Sequence, residues 1–397
     1  MSSNNIFESE WLKVKERYSE KETISKEFCQ DAINYILQKV DENIIIFKNG
    51  FPPPASSKGI YEVIGNTDWT SSFWTGMLWL SYEVTGDEKY KIAAEEHLDS
   101  YQERLDKNIA TDTHDLGFLY SLSCVAAYKL TGSERAKKIA LQAADMLMTR
   151  YFEKAGIIQA WGNLNDPEQR GRMIIDCCMN LPLLYWAYEM TGDRKYYDVA
   201  YSHAKQSVKR IIREDASTYH TFYMDVETGE PRFGKTAQGF SDDSCWARGQ
   251  AWGIYGLVLS YIYNFDGNLV DESKKLANYF LNRLPEDSIC YWDLSFTSGD
   301  EERDSSAAAI ASCGLLEMTR HLPLTDECKA VYENALIKMV KSMVENYTTK
   351  GLESNGLLTH GVYSKPGSLG VDECNLWGDY FYFEALVRLV KDWQIYW

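Results

Sequence analysis

Three features of the sequence predict an all-α protein built from helical hairpins. One local pattern recurs: an aromatic helix end, a Thr-Gly turn and a charged helix start. The segments between these turns carry apolar residues at helical spacing, and strand signals are scarce. The pattern is clearest as SYEVTGDEKYKIAAEEH around Gly86, AYKLTGSERAKKIALQAAD around Gly132 and AYEMTGDRKYYDVAYSHA around Gly192. In each, glycine stands where a helix needs a left-handed C-terminal residue, and Asp87, Ser133 or Asp193 can cap the helix that follows. Fainter equivalents lie near Asp266-Gly267 and around Leu322-Pro323.

Taken in order, the chain begins with a polar extension of about 25 residues and continues as about five to seven hairpins. The stretch from Tyr219 to Gly239, with Asp225, Gly229, Pro231 and Gly234, reads as a short β-hairpin or a long loop. No Pro/Gly/Ser-rich linker divides the 397 residues, so a single domain over 1–397 is expected. Hairpins of this kind bury their apolar faces against neighbours, either in a closed ring of inner and outer helices or in an open solenoid. The irregular repeat spacing, and loops rich in functional residue types, favour the ring.

Composition narrows the function. The chain is 45% hydrophobic and 25% charged with only 9 Pro, as in a well-packed globular protein. It carries 12 Trp, 27 Tyr and 15 Phe, enough to pack bulky helices and also to offer flat faces to sugar rings. A formal net charge of −17 without a basic cluster disfavours nucleic acid and anionic membrane as partners, while a few local cations can still bind a small anionic ligand. The polar start and the lack of a bilayer-length apolar run predict a cytoplasmic protein, and a monomer or homodimer is expected. Nine cysteines without metal-type spacing read as reduced core thiols.

Two carboxylates are candidates for chemistry. Asp176, in RMIIDCCMNLPLLYW, is the sole carboxylate between Glu168 and Glu189, and apolar surroundings raise a carboxyl pKa toward the range of a general acid. The competing reading is a helix cap, although Pro182 sits awkwardly inside a helix starting at Cys177. Asp115, in TDTHDLGFLY, lies where a polar loop runs into an apolar helix, and capping by Asp112, Thr113 or Asp115 itself competes with a catalytic role. Farther on, Arg248 and Trp252 share a helix face, suited either to a carboxylate and a sugar ring or to an ion pair with Asp242 or Asp243 above a core Trp252. His114 and His220 lack zinc spacing, and no phosphate loop or Ser/Cys nucleophile motif is present, so neither metal nor cofactor is expected.

These segments together resemble the unsaturated glucuronyl hydrolases, glycoside hydrolase family 88. The likeness runs from about Asn66 to Trp397 and rests on the order of short motifs. These are NTDWTSSFWTG from Asn66, HDLGF from His114, QAWG from Gln159, IID from Ile174, HTFY from His220, TAQG from Thr236, WARGQAW from Trp246, RDSSA from Arg303 and LWGDY from Leu376. The resemblance implies an (α/α)6 barrel that hydrates the C4=C5 bond of a 4,5-unsaturated uronic acid at the non-reducing end of a lyase product. It implies Asp176 as the acid that protonates C4 and then assists water at C5, with Asp115 as its supporting carboxylate. It places Trp69, Trp161 and Trp252 around the sugar, His114, His220, Gln238 and Arg248 on its polar groups, and Gly234 and Thr236 over the next sugar. The resemblance also implies that Tyr363 and Ser364 close the site from the last long loop.

The chain departs from that resemblance in one place. Relatives favouring sulfated chondroitin-type products resemble Ser-x-x-Ser-x-Lys after the loop tyrosine, whereas Tyr363 to Gly370 here reads YSKPGSLG, with Gly367 and Leu369 at the later two positions. A weaker preference for sulfated substrate is therefore expected, unless Ser368 and Lys365 substitute. The alternatives are an unsaturated rhamnogalacturonyl hydrolase, an ordinary inverting glycosidase with two carboxylates, or a non-catalytic glycan-binding helical protein.

Overall fold

The computed structural model describes residues 3–397, with side chains from residue 10 onward. The Thr-Gly turns fold as the local chemistry requires. Gly86, Gly132 and Gly192 adopt φ of 70°, 70° and 72°, and their N–H groups bond the carbonyls of Tyr82, Tyr128 and Tyr188. Asp87, Ser133 and Asp193 then accept the backbone N–H groups of Lys89, Ala136 and Lys195 at the next helix start. At the two fainter turns Asp266 and Asp326 cap in the same way. Phe265 takes the left-handed position there without a glycine, at φ 56°.

Each turn joins a helix buried nearly all round to an amphipathic one. Ser71–Thr85 buries every residue from Ser71 to Ser81, and Ala247–Asn264 buries every residue from Ala247 to Ser260. By contrast, Glu134–Met148 buries Ala136, Ile139, Ala140, Ala143, Ala144 and Leu147, one stripe at the 3.6-residue period. The buried partners pack in a cycle: Ser71–Thr85 on 116–131, then Pro182–Thr191, Ala247–Asn264, Ser305–His321, Leu376–Val390 and back to Ser71–Thr85. Each has an outer companion, and Lys26–Phe47 serves the last of them. Among the described residues this makes six inner and six outer positions, an all-α ring of the (α/α)6 kind, closed by pairing the start of the chain with its end.

The short turns lie at one end of this ring. The long connections, 48–70, 107–115, 149–174, 211–246, 282–304 and 347–375, all lead into N-termini of inner helices at the other end. The small β elements lie in them. The Tyr219–Gly239 stretch does form a hairpin, Thr221–Met224 with Pro231–Lys235, and gains a third strand, Arg172–Ile174, which sequence did not signal. At the opposite end Trp397, 1% exposed, stacks on Phe381 at 5.8 Å and meets the edge of Phe118 at 5.9 Å, so aromatic side chains fill the ring's axis.

From Ser3 onward the N-terminal extension packs against the ring. Helix Ser3–Arg17 packs on Gly267–Leu281 and Glu327–Asn346; Trp11 Nε1 donates to Glu327 at 3.1 Å, and Arg17 donates to the carbonyl of Leu284 at 2.6 Å. All nine cysteines are buried and unbridged.

Candidate active site

Asp115 and Asp176 stand at the loop end of the ring, at the starts of neighbouring inner helices. Neither acts as a cap. Asp115 directly precedes helix Leu116–Tyr120 but makes no capping bond, and a π-turn, Ser121–Val125, follows within the same inner helix. Asp176 lies in a 3₁₀ turn, Ile175–Met179, and Pro182 begins the following helix at a position where its missing N–H costs nothing. That late start resolves the awkward proline and frees the Asp176 side chain. The strand Arg172–Ile174 and the bond from Ile175 N–H to the His220 carbonyl at 3.2 Å hold the turn in place.

The two carboxyls have different surroundings. Asp115 accepts the Thr113 hydroxyl at 2.6 Å, has His114 Nε2 at 3.4 Å, and lies in the field of Arg104 and Arg150. Burial pushes its pKa up to about 6, held back by the Thr113 bond, Arg104, the Asn180 side chain and Arg150. Asp176 is half-buried, and its Oδ1 is sealed from solvent without a hydrogen-bond partner. Burial first, and then the neighbouring Asp115 charge, push it up to about 8, with Arg248 opposing. Two acids in one site thus separate into one that ionises readily and one that keeps its proton at neutral pH.

Around them lie neutral imidazoles. His220 Nδ1 accepts the N–H groups of Ala237 and Gln238 at 2.9 and 3.2 Å, so the ring proton sits on Nε2, which is buried and unpartnered. Burial, with Arg248, His114 and Arg172 nearby, lowers its pKa to about 3. His114 is lowered to about 3 by burial and by Arg150 and Arg172, and its Nδ1 is likewise unpartnered.

Arg248, 1% exposed, is fully engaged by protein. Its Nη1 contacts Asp304 at 3.2 Å and the Val362 carbonyl, and its Nη2 donates to Gln238 Oε1 and the Tyr363 carbonyl, each at 2.7 Å. The ion-pair partner is Asp304, not the Asp242 or Asp243 considered from sequence, because the helix start at Ser305 delivers Asp304 into the ring while Asp242 turns back to the Thr236 N–H at 2.8 Å. Its guanidinium lies between Trp246 and Trp377, 4.4 and 4.7 Å from their ring centres.

Half-buried Trp69 donates to the Tyr363 hydroxyl at 3.0 Å and stacks on Trp377 at 5.2 Å. Trp161, also half-buried, lies under Arg172 at 4.4 Å and 6.3 Å from His220. Trp252 is different: it is 0% exposed, between Phe118 and Phe381 at 5.1 and 5.4 Å. It lies one helical turn beyond Arg248 on helix Ala247–Asn264, and its Nε1 is buried without a hydrogen-bond partner. Gly234 lies in a strand where a Cβ would come within 2.3 Å of the Tyr219 ring, and the Thr236 hydroxyl accepts the Gly239 N–H at 2.8 Å. Ser364 ends strand Gly361–Ser364, where its hydroxyl accepts the Gly367 N–H at 3.2 Å.

Sequence reasoning gave no role at the site to Thr113, Asn180, Asp304, Trp246 or Trp377, although Trp246, Asp304 and Trp377 lie within WARGQAW, RDSSA and LWGDY, because each acts through another residue.

The family model described as Glycosyl Hydrolase Family 88 matches residues 56–388. An unsaturated chondroitin disaccharide hydrolase of Streptococcus pneumoniae is 49% identical over 390 residues, covering 98% of each chain. The crystal structure of unsaturated glucuronyl hydrolase from Streptococcus agalactiae superposes with a TM-score of 0.94 at 48% identity, covering 97% of each chain. An Asp-to-Asn variant of the Streptococcus agalactiae enzyme, complexed with dGlcA-GalNAc6S, matches with a TM-score of 0.86 at 45% identity over 96% of each chain. With a family match across most of its length and relatives this similar end to end, the chain belongs to glycosyl hydrolase family 88.

Proposed function

We propose that this glycoside hydrolase hydrates the C4=C5 bond of a 4,5-unsaturated glucuronyl residue at the non-reducing end of a glycosaminoglycan-derived oligosaccharide. The observation that carries the reading is Asp176: a carboxyl at the loop end of the ring, unused as a cap, with an unpartnered Oδ1, pushed up to about 8 beside a second carboxylate. Protonating an enol ether requires a neutral acid with such a pKa.

Asp176 delivers its proton to C4, and positive charge develops at C5 and the ring oxygen. The carboxylate left behind takes a proton from the water that attacks C5. The hemiketal then opens and releases the leaving sugar, so one water is consumed and the acid is regenerated. Asp115 stays ionised, favours the proton on Asp176 and accepts ring hydroxyls. Trp69 and Trp161 supply faces for the sugar, and the free Nε2–H of His220 and the Gln238 amide donate to its polar groups. Arg248 contributes positive field toward the uronate carboxylate from its fixed position. Gly234, Thr236, Tyr363 and Ser364 border the leaving sugar, and the substrate is a small oligosaccharide. The relatives named for chondroitin disaccharide and bound to dGlcA-GalNAc6S support this substrate class.

The test is the ultraviolet absorbance of the conjugated alkene–carboxylate. Adding enzyme to unsaturated chondroitin, hyaluronan or heparin disaccharides bleaches it. A protein that binds these sugars and leaves the absorbance intact is not a hydratase.

A further inference from the structure

We propose that Asn180 is a positioning residue of the carboxylate pair, its amide tying the helix start that carries Asp115 to the turn that carries Asp176 while donating to the Asp115 carboxylate. This deepens the function proposed above and rests on it.

Asn180 is 0% exposed and sits four residues after Asp176, at the end of the 3₁₀ turn. Its amide orientation is fixed by its neighbours. Oδ1 accepts the backbone N–H of Phe118 at 2.6 Å, three residues past Asp115, so Nδ2 must face the other way. There one N–H goes to the Asp176 carbonyl at 3.2 Å, which leaves the second N–H for the Asp115 carboxylate, whose pKa the Asn180 side chain lowers. The contact is close because residue 117 is glycine: a Cβ there would stand 2.3 Å from the Asn180 Cα and carbonyl oxygen. A single amide therefore spans two inner helices and touches both acid-bearing segments.

The consequence is asymmetry within the pair. On this proposal Asp115 has two neutral donors, the Thr113 hydroxyl at 2.6 Å and the second Asn180 N–H, whereas Asp176 Oδ1 has none. Donors stabilise the charged form of the group they bond. Asn180 thus acts with Thr113 and Arg104 to keep the charge on Asp115 and so the proton on Asp176.

Asn180→Asp keeps the shape and the Phe118 bond but replaces the donor facing Asp115 with a carboxyl oxygen. The acid limb of kcat/KM is expected to move from near pH 6 upward by about one unit, so activity at pH 5 falls about tenfold further than activity near pH 7.5. Thr113→Val, which removes the other neutral donor, should shift the same limb in the same direction. A uniform fall in rate with both limbs unmoved would make Asn180 merely structural and overturn the proposal. Should Asn180→Asp not fold, Asn180→Ser provides the same comparison. In the wild-type protein, the side-chain amide signal of Asn180 in 15N NMR should titrate with the acid-limb midpoint, and a signal flat from pH 4 to 9 would also overturn the proposal. This last readout needs no substrate, so it separates failure here from failure of the assigned reaction.

Discussion

At the scale of single residues, the proposed chemistry depends on two aspartates being unlike. Replacing Asp176 with Asn preserves shape but removes the transferable proton. Turnover is expected to fall by at least about 10³-fold while disaccharide binding, measured by calorimetry, stays within a few-fold of wild type. Near-normal turnover would remove Asp176 from its role. The pair also predicts a bell-shaped kcat/KM profile. Activity requires Asp115 ionised, above about pH 6, and Asp176 protonated, below about pH 8. Asp115→Asn removes the charge that raises Asp176, so its residual activity should lose the alkaline side first, the upper limb moving to lower pH. Asp176 was legible from sequence because it is a lone carboxylate in an apolar run. Its neighbours were not, because Asn180 and Asp304 reach the site only through tertiary contacts.

At the scale of elements, the hairpins were readable wherever a local rule governs the turn. The Thr-Gly signals at Gly86, Gly132 and Gly192 each combine a left-handed glycine with an N-cap, and each folds as expected. The third strand, Arg172–Ile174, was hidden because its partners lie some fifty residues away and its three residues carry no periodicity. The loop hairpin Gly361–Ser364 with Leu369–Glu373 bears on substrate choice. Lys365, one candidate to meet a sulfate, is ion-paired with Glu302; burial raises the Glu302 pKa, but the Lys365 bond and charge outweigh it and leave it below its ordinary value. Kinetics on matched sulfated and unsulfated unsaturated disaccharides should therefore show no strong sulfate preference. Glu302→Gln, which frees Lys365, should raise the relative kcat/KM for the sulfated substrate by several-fold. A strong sulfate preference in the wild type would contradict the reading of this loop.

At the scale of the whole molecule, ring closure explains why one end carries the chemistry. All six inner helices start at the same end, so long loops gather there and the short Thr-Gly turns gather at the other. Sequence favoured a ring over a solenoid without demonstrating it, since closure depends on Leu376–Val390 packing both on Ser71–Thr85 and on Lys26–Phe47. The buried acid also has a cost in stability. Asp176 has a folded pKa raised to about 8, well above an ordinary carboxyl value. A carboxyl raised in the folded state contributes most below its unfolded pKa, near 4, and that contribution is lost as pH rises through the folded value. Asp176→Asn should therefore melt higher than wild type at pH 8, with the gap narrowing toward pH 4.

The central claim is that Asp176 carries a proton at neutral pH while Asp115 does not. Difference infrared spectroscopy between wild type and Asp176→Asn measures this directly. The account predicts a protonated-carboxyl C=O band at pH 7 that disappears with a midpoint near 8 and is absent from the variant. No such band at pH 7, with Asp176 already ionised, would contradict it.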